Sequence, residues 1–338
     1  LQPNPLLDVN VSKVIGERGM LGVAVSRNLD GHEYVFLYFT ESSVDNGEPI
    51  GNRLYRYEFV NDKLLNPKLL LDLPVKPGPY HNGGSLTIGP DNNLYLTIGN
   101  LENVELPENI TSKIQNVKNG TEPDGRGGIL RITQDGKAVG KGIIGSTYPS
   151  NLYYAYGIRN SFGIEFDPIT GNLWDTENGP DYGDEINLVK PGFNSGFFKV
   201  QGIWENNKGF IGPVLPNPKD LVDFGGKGKY SSPEFSWKGR YGPTALVFLN
   251  STKLGKVYEN DLFVGNMHNE SISHFELTND RNELFLSGPL KDKVADNNSE
   301  MEGNIFAKYF NGGITDMQVG PDGYLYVVSG IWGSEGKI

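Results

Sequence analysis

The chain has 338 residues, with 41 acidic and 30 basic side chains, 45 glycines, 21 prolines and no cysteine. The missing cysteine excludes disulfides, cysteine metal ligands and thiol chemistry, and the formal charge of −11 disfavours nucleic-acid binding, which needs a basic face. The longest apolar run, residues 34–39, is far shorter than the ~20 residues of a membrane-spanning helix. We therefore expect a globular protein without a nucleic-acid partner and without a membrane span.

The beginning of the chain and its asparagines favour a secreted protein. Residues 1–10 lack the basic and apolar layout of a signal peptide, so the sequence predicts that any signal has been removed. Asn-x-Ser/Thr sequons, at which exported proteins can be glycosylated, begin at Asn10, Asn109, Asn119, Asn250, Asn269 and Asn297.

Short apolar segments of four to eight residues, each bounded by Gly, Pro, Asn or Asp, run along the whole chain, and helical periodicity is hard to find. This pattern is typical of short strands joined by tight turns. Clear examples are residues 34–39, 52–59, 94–98, 128–132, 271–277 and 324–328. The polar stretch 101–128 predicts a long surface loop. The sequence therefore predicts an all-β fold.

A hairpin plan recurs along the chain: an apolar residue, a turn containing Asp, and a strand with Leu-Tyr or Leu-Trp. Copies lie at 88–100, 166–179 and 319–330, with looser ones at 25–42 and 248–266. A hairpin repeated every roughly 60 to 80 residues favours propeller blades; a large sandwich with similar turns is the alternative. We predict a six-bladed β-propeller of four-stranded antiparallel blades, one of them degenerate, forming a single domain over residues 1–338.

Two glycine-rich polar loops each precede a repeated strand. The loop 80–85 contains His81, which can titrate near neutral pH and act as a base. The loop 156–160 contains Arg159, whose planar guanidinium suits a negatively charged or oxygen-rich group. The alternatives are a hydrogen-bonded scaffold role for His81 and a tie to a neighbouring loop for Arg159.

A third polar segment, residues 177–187, follows the strand of the second repeat copy. Its carbonyl and carboxylate oxygens are the hard ligands that calcium prefers, and Asp184 and Glu185 are candidate ligands of a structural site. The spacing does not match an EF-hand loop, so the pair can also be read as an ordinary solvated pair on a turn.

Four segments of the chain occur together in this order: GERGMLGVAVS (16–26), HNGGSLTIGPDNNLYLTIGN (81–100), YGIRNSFGIEFDPITGNLWDTENGPDYGDEINLVKPGFNSGF (156–197) and GPDGYLYVVSG (320–330). They resemble the soluble glucose/sorbosone dehydrogenase family, which includes the quinoprotein aldose sugar dehydrogenases. The likeness runs from about residue 13 to residue 331, and the resemblance implies the six-bladed β-propeller fold of that family.

The resemblance implies pyrroloquinoline quinone (PQQ) above a calcium ion on the propeller axis, a sugar or polyol substrate and an external electron acceptor. His81 matches the histidine that takes the proton from the anomeric hydroxyl while hydride passes to the quinone. Arg159 and Asn160 match residues that contact the cofactor. The backbone carbonyls of Gly179 and Pro180 match those that ligate the calcium.

The chain also departs from the family pattern, since several cations that meet the three carboxylates of PQQ are missing. His268 stands near the position of an expected lysine, and Gly313 and Thr315 stand where arginines are expected. Losing two or three charged hydrogen bonds of about 1.5–3 kcal/mol each predicts PQQ binding that is at least about a hundredfold weaker. His268 and Thr315 remain the candidate cofactor contacts in this part of the chain.

Two alternatives therefore stand beside the quinoprotein reading. One is a non-catalytic propeller that binds a glycan, a protein partner or a metal at its axial face. The other is an enzyme that holds a different cofactor at the same place, with His81 and His268 as ligands.

Overall fold

The computed structural model describes residues 4–13, 16–27, 31, 33–102, 110–203, 220–330 and 337–338; the sequon at Asn109 lies outside them. The chain divides into two compact units: Leu1–Asn160 with Val222–Gly228, and Ser161–Leu221 with Lys229–Ile338. We describe each unit by itself, and a single domain over residues 1–338 stays a prediction.

The first unit contains two groups of four antiparallel strands, each in chain order. Their bounds are β1 Met20–Arg27, β2 Glu33–Ser42, β3 Pro49–Val60, β4 Lys63–Leu73, β5 Leu86–Ile88, β6 Leu94–Ile98, β7 Gly128–Ile132 and β8 Tyr153–Tyr156. Strand β2 is buried on both faces: Phe36 and Tyr38 join one hydrophobic cluster, and Leu37 and Phe39 join another. The alternation follows from the two-residue period of a strand.

The strands of the second unit have the bounds β9 Ser161–Phe166, β10 Leu173–Glu177, β11 Asp184–Val189, β12 Phe193–Asn194, β13 Lys229–Tyr230, β14 Phe235–Trp237, β15 Pro243–Phe248, β16 Leu262–Asn266, β17 Ser271–Phe275, β18 Val294–Ala295, β19 Ile305–Lys308, β20 Gly313–Val319 and β21 Leu325–Gly330. They form a five-stranded sheet in the order β18-β14-β11-β10-β9, a four-stranded sheet β15-β16-β17-β19, and the hairpin β20-β21. Strands β12 and β13 form a short parallel pair.

The all-β prediction is confirmed, but uniform four-stranded antiparallel blades are wrong for the second unit. Its five-stranded sheet ends in β18, which pairs with β14 in the parallel direction. Both strands are only two or three residues long. Because the pair is parallel, β18 reaches the sheet edge through a long connection and not through a hairpin. The six-bladed count stays a prediction.

The repeated sequence plan corresponds to antiparallel hairpins. The five copies connect β1 to β2, β5 to β6, β9 to β10, β15 to β16 and β20 to β21. In two copies the aspartate has the same role: Asp91 accepts a hydrogen bond from the Tyr95 hydroxyl at 3.0 Å, and Asp322 from the Tyr326 hydroxyl at 2.9 Å. Each aspartate therefore fixes its turn and the strand that follows.

Helices are short 3-10 turns throughout the described residues, and no described helix is long and apolar enough to cross a membrane. One turn corrects the prediction of a surface loop over 101–128. This turn is Lys113–Gln115. The Ser112 side chain caps its start and forms a capping box with Gln115, and Ile114 is buried in the hydrophobic core. The 3-10 turns are Lys113–Gln115, Ser150–Leu152, Lys256–Tyr258, Gly288–Asp292 and Asn298–Asn304.

Candidate functional site

His81 lies in the loop before β5, in a backbone conformation that side chains rarely adopt. Its φ is +61°, and its backbone N–H donates a 2.8 Å hydrogen bond to Glu17 Oε2. The neighbouring strand end approaches so closely that a Cβ on Gly99 would lie 2.5 Å from the His81 carbonyl oxygen. A charged hydrogen bond and a close backbone contact thus hold the residue in the left-handed region.

The hydrogen bonds of the His81 imidazole select one tautomer. Nδ1 lies 2.5 Å from Asn100 Oδ1 and 3.2 Å from Glu102 Oε2, and both atoms are acceptors. Nδ1 therefore carries the hydrogen and Nε2 carries the lone pair. Burial, together with the positive charge of Arg159, lowers the pKa of His81 to about 3. The ring is a neutral base at physiological pH.

Arg159 and Asn160 occupy the loop between β8 and β9 and reach the same group. Arg159 donates from Nη2 to Glu102 Oε2 at 2.9 Å, and its carbonyl accepts from the Asn100 backbone at 2.9 Å. Asn160 donates from Nδ2 to Glu17 Oε2 at 3.2 Å. The structure thus brings together the three site residues that the sequence predicts in this unit.

Sequence reasoning missed the two carboxylates that connect these residues. Glu17 Oε2 joins His81 to Asn160, and Glu102 Oε2 joins His81 to Arg159. Burial raises the pKa of Glu17, although hydrogen bonds from His81 and Asn160 and the charge of Arg159 oppose this rise. The only sequence signal for Glu17 is its place in the GERGMLGVAVS segment, because it lies 64 residues before His81.

The segment predicted as one loop over 177–187 is a hairpin in the second unit. Glu177 ends β10, Asp184 begins β11, and Glu177 pairs directly with Glu185 across the two strands. The connecting turn is tight, since a Cβ on Gly179 would collide with the Tyr182 carbonyl oxygen. The correction matters because strand side chains alternate between faces, so neighbouring acids do not converge on one ligand.

Asp184 holds backbone rather than facing solvent. Its Oδ1 accepts from the Gly179 N–H at 2.8 Å, and its Oδ2 accepts from Tyr241 N–H and Gly242 N–H at 2.8 Å each. Burial raises its pKa, and the three amides oppose that rise. Both oxygens therefore already have hydrogen-bond donors, which makes Asp184 an anchor of two loops and a poor calcium ligand in this conformation.

Glu185 faces a different set of partners. Its carboxylate accepts from Gly202 N–H at 2.5 Å, Asn187 Nδ2 at 3.1 Å and Ser195 Oγ at 3.2 Å. Burial and the nearby Glu177 raise its pKa well above the ordinary value. The predicted pair is thus divided, and the reading of Asp184 and Glu185 as a solvated pair on a turn is wrong, because both side chains are buried.

His268 and Thr315, the two predicted cofactor contacts of the second unit, differ in whether their side chains are free to contact a ligand. His268 is exposed, and its ring packs against Gly242, where a Cβ would lie 2.8 Å from Cδ2. Thr315 donates its hydroxyl hydrogen to the Val328 carbonyl at 3.2 Å. This hydroxyl hydrogen is therefore not available to a carboxylate, and Thr315 is a poor donor in this rotamer.

Two observations concern the fit of calcium at the Gly179–Pro180 turn and of a bound molecule beside Asn160. The Pro180 carbonyl accepts a 3.4 Å hydrogen bond from Nε of the Arg240 guanidinium, so a positive group already lies against a predicted calcium ligand. Asn160 Oδ1 is buried and has no hydrogen-bond partner among the described residues, as expected where a bound molecule donates a hydrogen bond. The described residues contain no cluster of three or more His, Asp or Glu side chains placed to hold a metal.

The model of the glucose/sorbosone dehydrogenase family matches residues 3–338. The chain belongs to this family. It is 26% identical over 322 residues to the aldose sugar dehydrogenase YliI of Escherichia coli, covering 93% of this chain and 75% of that one. It is 30% identical over 251 residues to the quinoprotein glucose dehydrogenase B of Acinetobacter calcoaceticus, covering 68% of this chain and 52% of that one.

This member of the glucose/sorbosone dehydrogenase family is also similar in fold to a solved structure. The PQQ-bound aldose sugar dehydrogenase of Streptomyces coelicolor matches with a TM-score of 0.63 and 23% identity, covering 95% of this chain and 76% of that one. At this identity the match shows the fold alone. The all-β fold is therefore similar to that of the β-propeller sugar dehydrogenases, and the number of blades stays a prediction.

Proposed function

We propose that the protein oxidises an aldose sugar or a related polyol, with PQQ and calcium as cofactors and an external electron acceptor. The observation that carries this proposal is a buried, neutral His81 whose Nδ1 contacts Asn100 and Glu102, which leaves Nε2 with its lone pair. Bound PQQ would supply the two-electron chemistry, and the protein would supply binding, orientation and electrostatics.

His81 is the general base in this proposal. Nε2 takes the proton of the substrate hydroxyl, and the positive imidazolium that results is stabilised by the Glu102 carboxylate 3.2 Å from Nδ1. Glu17 holds the His81 backbone in its left-handed conformation and so fixes the direction in which the ring points. The lowered pKa keeps His81 unprotonated, so that Nε2 can accept a proton, and it also makes the imidazole a weaker base.

The remaining contacts would hold the cofactor and the metal. Asn160 Oδ1 would accept a hydrogen bond from the bound molecule, and Arg159 would place a cation beside it. The carbonyls of Gly179 and Pro180 would hold calcium, and a protonated His268 would meet a carboxylate of PQQ. The PQQ affinity is then expected to be lower than that of family members with the full set of cations.

The proposal also covers the overall architecture and the location of the protein. It includes a closed six-bladed propeller with the cofactor on its axis, a single domain, and a secreted protein glycosylated at exposed sequons such as Asn119 and Asn297. The Glu185 group with Ser195 is the place where a second, structural calcium would be sought.

The test is reconstitution of the full chain with PQQ and calcium, followed by reduction of an artificial dye across a panel of aldoses and polyols. Calorimetry of PQQ in the presence of calcium gives the affinity independently of turnover. Dye reduction that requires both cofactors supports the proposal. PQQ binding without turnover on any sugar favours a binding protein, and neither binding nor turnover favours a different cofactor or a non-catalytic propeller.

A further inference from the structure

Arg240 is a charged residue that neither the repeat pattern nor the family resemblance singles out. It lies between β14 and β15, and its side chain is 62% exposed. Its guanidinium contacts the Gly179–Pro180 turn at two points: Nε donates to the Pro180 carbonyl at 3.4 Å, and Nη2 forms an ion pair with Asp181. The guanidinium thus lies on a carbonyl to which the proposed function assigns calcium.

The residues that follow Arg240 hold its backbone close to the Gly179–Pro180 turn. On its carboxyl side, Tyr241 and Gly242 donate their backbone N–H groups to Asp184, which also receives the N–H of Gly179. One buried carboxylate therefore connects the residue before Pro180 to the residue after Arg240. The Tyr241 ring also stacks on Trp237, with ring centroids 4.9 Å apart and planes 12° apart. The backbone next to Arg240 and the backbone next to Pro180 are therefore held together, which places the Arg240 guanidinium within reach of the Pro180 carbonyl.

We propose that Arg240 is a latch on the Pro180 carbonyl that competes with calcium for this site. A guanidinium and a divalent cation on the same carbonyl repel each other, so metal binding requires the Arg240 side chain to swing towards solvent. The exposure of Arg240 makes this movement feasible, and Asp181 remains as its partner on the surface. The inference rests on the calcium role of Pro180 in the proposed function, but not on PQQ or on catalysis.

The test is calorimetric titration of calcium alone into the full chain without PQQ, compared between the wild type and Arg240→Met. We expect Arg240→Met to bind calcium roughly five- to twentyfold more tightly in dilute buffer, because a like charge is removed. The difference should shrink to about twofold or less at 0.5 M KCl, where exposed charges are screened. Arg240→Lys, which keeps the charge, should stay close to the wild type.

Lys238→Met is the matched control, since Lys238 is an exposed cation two residues away that pairs with Asp296 instead of the turn. It should leave calcium affinity within about twofold of the wild type. Removing Arg240 also frees the Asp181 carboxylate, which could itself bind calcium. A second comparison, Asp181→Asn with and without Arg240→Met, tests this alternative. The gain from Arg240→Met should persist in the Asp181→Asn background.

Three results would overturn the latch: equal calcium affinity in wild type and Arg240→Met, no calcium binding by either, or a gain that disappears with Asp181→Asn. The proposed function fails differently, through absent dye reduction with PQQ and calcium. A tighter calcium site in Arg240→Met without any dye reduction would support the latch and reject the dehydrogenase.

Discussion

The region around His81 and the region around Asp184 both depend on buried carboxylates, but they use them differently. Glu17 and Glu102 bind groups of the residues to which we assign chemistry, so that region is built from side chains. Asp184 binds three backbone N–H groups, and the groups of interest beside it are backbone carbonyls. Substitutions in the first region should therefore change the chemistry, while substitutions in the second should first change the backbone conformation.

The largest expected effect is on turnover at His81. His81→Gln should lower the rate of sugar-dependent dye reduction by ~10²–10⁴, because a positioned general base contributes about that much. The melting temperature should fall little, since glutamine can still donate to Asn100. His274→Gln is the control, as His274 pairs with Asp261 at 2.8 Å on β17 and has no assigned chemistry. Turnover by His81→Gln at the wild-type rate would contradict the assignment.

In the second region, we expect a substitution of Asp184 to lower stability first and activity only as a consequence. Asp184→Asn places an amide NH₂ among three backbone donors, and we expect about 3 kcal/mol of lost unfolding free energy from urea denaturation. Any loss of calcium or activity should follow the loss of stability. Asp181→Asn, on the same turn but at the surface, should cost under about 0.5 kcal/mol. Equal stabilities of the two variants would show that Asp184 does not anchor the loops.

The same contrast explains what the sequence could predict. The loops that hold His81, Arg159 and Asn160 were located correctly because they lie next to repeated strands whose Asp turns and aromatic residues are visible in the sequence. Glu17 and Glu102 were missed because their contacts join positions up to 143 residues apart, and nothing in the local pattern marks a carboxylate as an acceptor.

The second region was predicted less well for a related physical reason. A run of Glu, Asn, Gly, Pro and Asp has the composition of a calcium loop, but composition does not reveal that Asp184 and Glu185 are strand residues with different partners. The strand assignment depends on pairing with β10 and β14, which is a long-range property. The sequence does not mark Arg240, because its contacts with Pro180 and Asp181 exist only in the folded turn.

Glu17→Gln tests whether the first region acts as a connected unit. Glutamine keeps the size of the side chain but has one acceptor in place of a charged carboxylate, so the His81 backbone and Asn160 lose part of their support. We expect turnover to fall roughly 10- to 100-fold, with a larger effect on kcat than on KM. Glu48→Gln, at an exposed position of the same unit, is the control and should match the wild type. An unchanged kcat in Glu17→Gln would separate Glu17 from the chemistry.

The smallest expected effect concerns the pH dependence of stability through His81. Its pKa is about 3 in the folded chain against the ordinary histidine pKa of 6.5, because burial and Arg159 oppose protonation. The unfolded chain therefore takes up the proton first, and the contribution of His81 to stability falls as the pH falls from about 6.5 towards 3. Between pH 7 and pH 5.5 this loss is about 1 kcal/mol.

The total stability does not isolate this loss, since burial raises the pKa of Asp175 and of Glu165 to about 7. These carboxyls act in the opposite direction, because the folded chain binds their protons first as the pH falls. The difference in unfolding free energy between wild type and His81→Gln removes their contribution, and it should decrease by about 1 kcal/mol from pH 7 to pH 5.5. Glu102 and Glu17 favour the imidazolium, while Arg159 and burial oppose it. A constant difference across this range would mean that the folded and unfolded chains bind the His81 proton equally well, and a difference that grows as the pH falls would mean that the two carboxylates prevail and raise the pKa of His81 in the folded chain.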